Sequence, residues 1–345
     1  MAAPRRKSSN GEGAESKRSL AGVEPSLLGF GAAPIGNLYE AVADDQALAA
    51  VRHAWDCGIR YFDTAPYYGY GLSEDRLGRA LAAHPRSSFV LSSKVGRCVH
   101  DAPRTAIAVD GFVVEGRGAV FDYSRDGVRG SVESSLKRLR TDYIDVLLLH
   151  DIGALTHGQH HARILRQALD EALPELARLQ GEGVCRAIGI GVNERDVCLE
   201  VMPRFPLDCI MLAGRYTLLE QAAGLPVLDE ALRRGVRVLA AGPYNSGLLS
   251  SARAPGATYD YRPTDASIHQ RAEHLYRLCA EIDIELGAAA LQFPLAHPAV
   301  SSVVAGLRSA VEVDSAIARM KSPVPPSAWR SLRDAGLLLP EAPTP

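Results

Sequence analysis

The sequence is short of the features that would send it to a membrane, to nucleic acid or into a disulfide framework. None of its 345 residues belongs to an apolar run approaching the roughly 20 needed to span a bilayer, so no membrane partner is expected. Neither sign of charge dominates: 38 Lys and Arg face 40 Asp and Glu, a formal net charge of -2. That leaves no electrostatic footprint for nucleic acid. The six cysteines (Cys57, Cys98, Cys185, Cys198, Cys209 and Cys279) include no C-x-x-C pair and read as reduced thiols. The one histidine-dense stretch, HGQHH at 157–161, reads as a solvated polar loop, and no metal is expected. Arg5, Arg6 and Lys7 are not followed by an apolar signal core, so the expected location is cytoplasmic. Residues 1–20 read as a disordered tail and 339–345, LPEAPTP, as a second.

What is present is an alternation. Eight short apolar runs, SLLGFG (26–31), IRYFD (59–63), FVLSSK (89–94), YIDVLLLH (143–150), CRAIGIGVN (185–193), DCIMLAG (208–214), VRVLAAG (236–242) and VSSVVAG (300–306), are separated by amphipathic segments. Most are apolar throughout, as strands covered on both faces are. In SVESSLKRLR, Val132, Leu136 and Leu139 form one helical stripe while Glu133, Lys137 and Arg140 face solvent. Ahead of SEDRLGRAL, Ser73 is placed as the N-cap, with Glu74 and Asp75 in the first turn. The pattern predicts an α/β fold, a single-domain (β/α)8 TIM barrel over 21–338. A doubly wound sheet is the rival. It rests on GFGAAPIG (29–36), where Pro34 and a displaced third glycine spoil the dinucleotide fingerprint.

Polar residues close four of these runs: Asp63, Lys94, His150 and Asn193. In a closed barrel those strand ends share one rim, where barrel active sites lie. Beyond Asp63 stand two adjacent phenols, Tyr67 and Tyr68. A free tyrosine has a pKa of about 10, and a nearby cation lowers it. Lys94 is expected to supply that cation, Asp63 to hold Lys94, and His150 to bond both phenol and substrate oxygen. The set can move one proton without a metal, and a hydride acceptor must come from a cofactor.

These residues resemble the aldo-keto reductases. DTAPYYGYGLSEDRLGRAL, SSKVGR, SVESSLKRLRTDYIDVLLLHD and RAIGIGVNE follow the family's motifs in order, and the likeness runs from about residue 26 to 338. The family's Asp, Tyr, Lys and His tetrad falls on Asp63, Tyr68, Lys94 and His150; its five-residue spacing from aspartate to tyrosine selects Tyr68 over Tyr67. GFGAAPIGNLY, VFDYSRDGV, AGRYTLLEQ, YNSGLL, TYDY and AALQFPLAHPAV further resemble the branch that oxidises aldoses at C1, or pyridoxal. The resemblance implies oxidation of a cyclic hemiacetal to a lactone. The expected substrate is a small aldose of the L-fucose, D-arabinose or L-galactose class, with pyridoxal as the alternative. A non-catalytic redox-sensing subunit is the competing class, disfavoured by the complete tetrad. No oligomeric state is implied.

For the cofactor, NAD with NADP as the alternative, the resemblance points to Asn193, to GPYNSGLL with Gly242, Tyr244, Asn245, Ser246 and Gly247, and to AGLRSAVEVDSA with Gly306, Arg308, Ser309 and Glu312. Arg308 suits a 2′-phosphate, but Glu312 one helical turn on can pair with it or repel the phosphate. Ala316 stands where NADP-using relatives tend to carry asparagine. Ala241 replaces the ring that many members set against the nicotinamide, and LAGRY, with Arg215 and Tyr216, lacks the glutamine that binds its carboxamide. The insert at 97–124, between the third and fourth strands, either shapes the substrate pocket or is a surface hairpin. Residues 250–263 are expected to form a lid.

Overall fold

The computed structural model of the protein describes residues 18–103, 111–250, 258–259, 262–263 and 266–345. Eight strands form the barrel: β1 (Leu28–Gly31), β2 (Tyr61–Asp63), β3 (Val90–Val95), β4 (Ile144–His150), β5 (Cys185–Val192), β6 (Cys209–Ala213), β7 (Arg237–Ala241) and β8 (Val300–Gly306). Each pairs in parallel with the next, and β8 closes on β1 from Leu28↔Val303 to Gly31↔Gly306. All eight expected runs hold their strand, and the doubly wound sheet is excluded.

The continuous apolar character of the runs has a simple cause. Tyr61, Val90, Val146, Leu148, Ala187, Cys209, Met211, Leu239 and Val304 fill the barrel interior. Their chain neighbours Phe62, Leu91, Leu147, Leu149, Ile188 and Ile210 pack outward against the helices. Both parities of each strand are therefore out of water. The glycines of the spoiled fingerprint serve this barrel: a Cβ on Gly29 would lie 2.7 Å from the Tyr61 ring.

Helices follow the strands, including Asp44–Asp56 after β1, Leu72–Leu81 after β2, Arg125–Leu139 after the insert and Ala310–Lys321 after β8. No helix among the described residues is long and apolar enough to cross a membrane. In Arg125–Leu139 the stripe lies as expected, with Val132 and Leu139 buried and Glu133 and Lys137 exposed. Ser73 requires a correction. The helix begins earlier, at Leu72, because Gly71 turns the chain at φ 93. Ser73 Oγ instead points inward, donating to Ala32 O at 2.7 Å and bonding Thr64 Oγ1 at 2.8 Å.

Parts of both segments expected as tails are bonded to the barrel. Arg18 donates to Val300 O at 2.8 Å and Leu295 O at 3.0 Å, and Leu20 pairs with Val23. These two apolar side chains join the interior cluster at the amino ends of the strands, where the barrel would otherwise open to water. Only residues 1–17 lie outside the described residues at that end. At the other, Ala342 is buried and its carbonyl accepts from Arg333 at 2.9 Å.

The insert is a hairpin, Arg97–Asp101 antiparallel to Arg117–Phe121, whose link at 104–110 lies outside the described residues. Most of the expected lid does so too; of 250–263 the structure describes Ser250 and the pairing of Thr258–Tyr259 with Arg262–Pro263.

Candidate active site

Asp63 ends β2, Lys94 is the penultimate residue of β3 and His150 ends β4, so the carboxyl ends of neighbouring strands bring them together. Asp63 and Lys94 are both buried. The Lys94 ammonium donates to Asp63 Oδ1 and Oδ2 at 3.0 and 2.8 Å and to Thr64 O at 3.0 Å. Ser92 Oγ donates to the same carboxylate at 2.6 Å, with the Tyr61 hydroxyl 3.0 Å behind it. The three ammonium protons are thus all used, and the pair is locked from below.

Tyr68 stands above this pair. Its ring faces Lys94 Nζ at 4.7 Å from the centroid, crosses the His150 ring edge-on at 5.9 Å and lies 6.1 Å from Phe112 of the insert. What holds it is a close backbone crossing. Gly69 has φ +63, and a Cβ on it would sit 2.2 Å from Gly36 O; a Cβ on Gly36 would meet Tyr68 C at 2.7 Å. Gly36→Ala is therefore expected to shift Tyr68 and lower kcat at least about 10-fold, with little change in KM. Steady-state kinetics on that variant check this, and an unchanged kcat would show that the crossing does not set the phenol.

The electrostatics correct one expectation. Lys94 does not lower the Tyr68 pKa: burial first, then the Asp63 and Asp151 carboxylates, push the phenol well above its ordinary value, with Arg97 opposing. The ammonium is bonded to Asp63, and at the phenol it is the carboxylate's charge that tells. His150 moves the other way. Burial, then Arg97 and Lys94, hold its pKa well below the usual imidazole range, so the ring is neutral. Its Nδ1 is buried with no partner among the described residues, and Nε2 lies 3.5 Å from Asp151. A neutral imidazole and a protonated phenol on one rim can share a substrate oxygen, one bonding it and the other exchanging a proton with it.

Arg97, Asp151, Tyr67 and Phe112 complete the wall, and the residue-by-residue reading missed all but the tyrosine. Arg97 bonds Asp151 at 2.5 Å and lies between the rings of Tyr67, at 3.7 Å, and Phe121, at 4.8 Å. Tyr67 packs on Phe112 at 5.4 Å. The insert is thus at once a hairpin and a wall of this site. SSKVGR and LLLHD already carried Arg97 and Asp151 beside two tetrad members; Phe112 had no such signal. The histidines of 157–161 do not converge: His157 Nε2 bonds Tyr123 and Asp151 O, while His161 reaches Ile152 O.

The residues beyond the tetrad fit a nicotinamide dinucleotide by the donors they leave open. Asn193 follows β5, half-buried, and its amide makes no hydrogen bond among the described residues. After β7, Asn245, Ser246 and Gly247 all have positive φ (46, 58 and 92), and the amides of Ser246 and Gly247 are unused in the described backbone bonds. Such a run of amides suits an anion. Asn193, Ser246 and Gly247 would hold the cofactor, and Gly242 and Gly306 are exposed nearby at the ends of their strands. Other positions expected at the cofactor already have partners within the protein. Asn245 is turned into the loop, accepting from Thr217 at 2.7 Å and donating to Gly214 O at 3.2 Å. Tyr244 receives Arg319 at 3.3 Å, and Ser309 caps the helix Ala310–Lys321 through Glu312 N. Arg215 and Tyr216 are buried, and Ala241 leaves no ring at the end of β7.

Arg308 carries two carboxylates. Glu312 accepts from its backbone amide at 2.8 Å and from Nε at 3.1 Å, and Glu40 meets Nη1 at 2.8 Å.

Residues 27–336 match the aldo/keto reductase family. Pyridoxal 4-dehydrogenase of Microbacterium luteolum is 38% identical over 341 residues, covering 94% of this chain and 98% of the relative. D-threo-aldose 1-dehydrogenase of a Pseudomonas species is 38% identical over 330 residues, with the same 94% and 98% coverage. L-galactose dehydrogenase of Arabidopsis thaliana is 34% identical over 304 residues, covering 86% and 85%. Among solved structures, an aldo-keto reductase of Bacillus halodurans in its holo form superposes with a TM-score of 0.71 at 26% identity, over 91% of this chain and 93% of that one.

Proposed function

This chain belongs to the aldo/keto reductase family and is an oxidoreductase; from that premise we propose that it oxidises a cyclic hemiacetal to its lactone with NAD, a small aldose being the substrate. The observation that carries the reading is the Tyr68–His150 pair above a buried, charge-balanced Asp63–Lys94. When bound, the nicotinamide supplies the hydride acceptor. Tyr68, once deprotonated, takes the proton of the anomeric hydroxyl. Neutral His150 bonds the same oxygen and orients it. Lys94 and Asp63 fix the floor beneath the phenol, and Phe112 and Tyr67 exclude water from one side.

A second reading, pyridoxal, is favoured by that aromatic wall, because Tyr67 and Phe112 suit a flat ring as well as a pyranose face. The relatives that act on pyridoxal and on D-threo-aldoses support the two readings equally. Initial rates with NAD on pyridoxal and on a panel of aldoses distinguish them. A kcat/KM for an aldose above that for pyridoxal is expected, and the reverse order would assign the site to pyridoxal.

The preference for NAD rests on the state of Arg308. A 2′-phosphate needs a cation free to clamp it, and here Glu312 and Glu40 already pair with the guanidinium at Nε and Nη1. Bringing a phosphate against two carboxylates adds like-charge repulsion. NAD is expected to give the higher kcat/KM, with Glu312→Gln narrowing the gap. Equal or better use of NADP by the unaltered protein would overturn the assignment.

A further inference from the structure

Away from the strand ends, on the outside of the barrel, three side chains of metal-ligand type converge. His53 and Cys57 lie one turn apart at the end of the helix Asp44–Asp56, and Asp314 projects from the helix Ala310–Lys321. His53 Nε2 is 2.6 Å from Asp314 Oδ1, Cys57 Sγ is 3.6 Å from that nitrogen and 4.0 Å from that oxygen. Among the described residues this is the one group of three or more His, Cys, Asp or Glu whose ligand atoms gather this closely.

We propose that His53, Cys57 and Asp314 form a binding site for a single zinc-class divalent cation, with water as the fourth ligand. In a tetrahedral site, zinc bonds of about 2.0–2.3 Å separate the ligand atoms by roughly 3.3–3.6 Å. The sulfur-to-nitrogen distance of 3.6 Å already meets this. The sulfur-to-oxygen distance is slightly long and the nitrogen-to-oxygen one short, since a hydrogen bond occupies the place of the ion. Asp314, 65% exposed, is free to make both adjustments. The backbone on the other side is set, because Cys57 N donates to His53 O at 2.9 Å and fixes the turn carrying both ligands.

Thiolate with imidazole selects zinc and its softer neighbours over magnesium or calcium. A thiolate and a carboxylate together balance the charge of a divalent ion, so the bound site is neutral. Binding replaces the thiol proton by the metal and releases it to solvent, so affinity rises with pH. No oxidation is involved. The ion would clip the first helix of the barrel to the helix after β8, across the seam where β1 meets β8. His53, Cys57 and Asp314 all lie off the catalytic rim, so the site shares no residue with the substrate pocket.

Titration of the reduced, EDTA-treated protein with zinc chloride by calorimetry and thermal shift is the test. One equivalent is expected to bind at micromolar zinc and to raise Tm, with Cys57→Ser and Asp314→Asn each weakening binding at least about tenfold. Cys98→Ser is expected to leave binding unchanged. Cobalt in place of zinc should give a thiolate charge-transfer absorption that Cys57→Ser removes. Absence of binding, or binding in both ligand variants as tight as in the unaltered protein, would overturn the site; loss in Cys57→Ser alone would overturn its three-ligand form. Should a variant misfold, zinc protection of Cys57 from alkylation in the unaltered protein, mapped by mass spectrometry, decides the same question.

Discussion

Tyr68→Phe is expected to lower kcat/KM for hemiacetal oxidation by about 10²–10⁴-fold, the usual contribution of one positioned proton-transfer group. Cofactor affinity should stay near that of the unaltered protein. The loss should also have a pH signature. Burial, Asp63 and Asp151 keep the phenol protonated through the neutral range. Oxidation needs the phenolate, so its rate should climb with unit slope as pH rises from about 7 toward 10 and beyond. Reduction draws on the phenol and should decline over the same range only where the raised pKa is approached. Stopped-flow or steady-state rates across that range, for both proteins, decide the matter. A variant retaining most of the wild-type kcat, or a flat profile for oxidation, would remove Tyr68 from the proton path.

Lys94→Met should do comparable damage by a different route. The ammonium and the Asp63 carboxylate are both almost wholly enclosed, with side-chain exposures of 2% and 4%. Removing the cation leaves a buried carboxylate with Ser92 as its remaining side-chain donor. Breaking such a pair from one side typically costs about 3–5 kcal/mol, which is a large share of a domain's stability. A urea unfolding midpoint for Lys94→Met is expected to fall accordingly. Removing both charges, with Asp63→Asn and Lys94→Met together, should recover much of that stability while activity stays low. Stability and activity are thereby separated: the first depends on balanced charge, the second on what the pair positions. An unfolding midpoint unchanged in Lys94→Met would mean that the pair is not enclosed.

The structure also explains which residues were open to sequence reasoning. Asp63, Lys94 and His150 each end an apolar run, and a polar group at the close of a buried strand stands out in one dimension. Arg97 and Asp151 lay within quoted motifs but had no meaning until the hairpin folded them together. Phe112 sits in an insert without periodicity, so nothing along the chain pointed to its contact with Tyr68. Ser73 was misplaced because a glycine with positive φ can start a helix where no side-chain cap is written. His53 and Cys57 have the spacing of one helical turn, yet that spacing is common; Asp314, far along the chain, is what makes them a group.

By itself the sequence determined the barrel, since strands enclosed on both faces are apolar at most positions and the connecting helices are amphipathic. It also determined the order of polar residues around the rim, because strand order in this fold follows chain order. Tertiary structure alone decided the charge state of the site. Whether Lys94 acts as a cation toward Tyr68 depends on where Asp63 stands, and at 2.8 Å the carboxylate cancels it. Likewise the pairing of Arg308 with Glu40, which belongs to the opposite end of the chain, exists only in the folded structure. Electrostatic interactions fall off with distance in space and with exposure to water, and neither quantity is written along the chain.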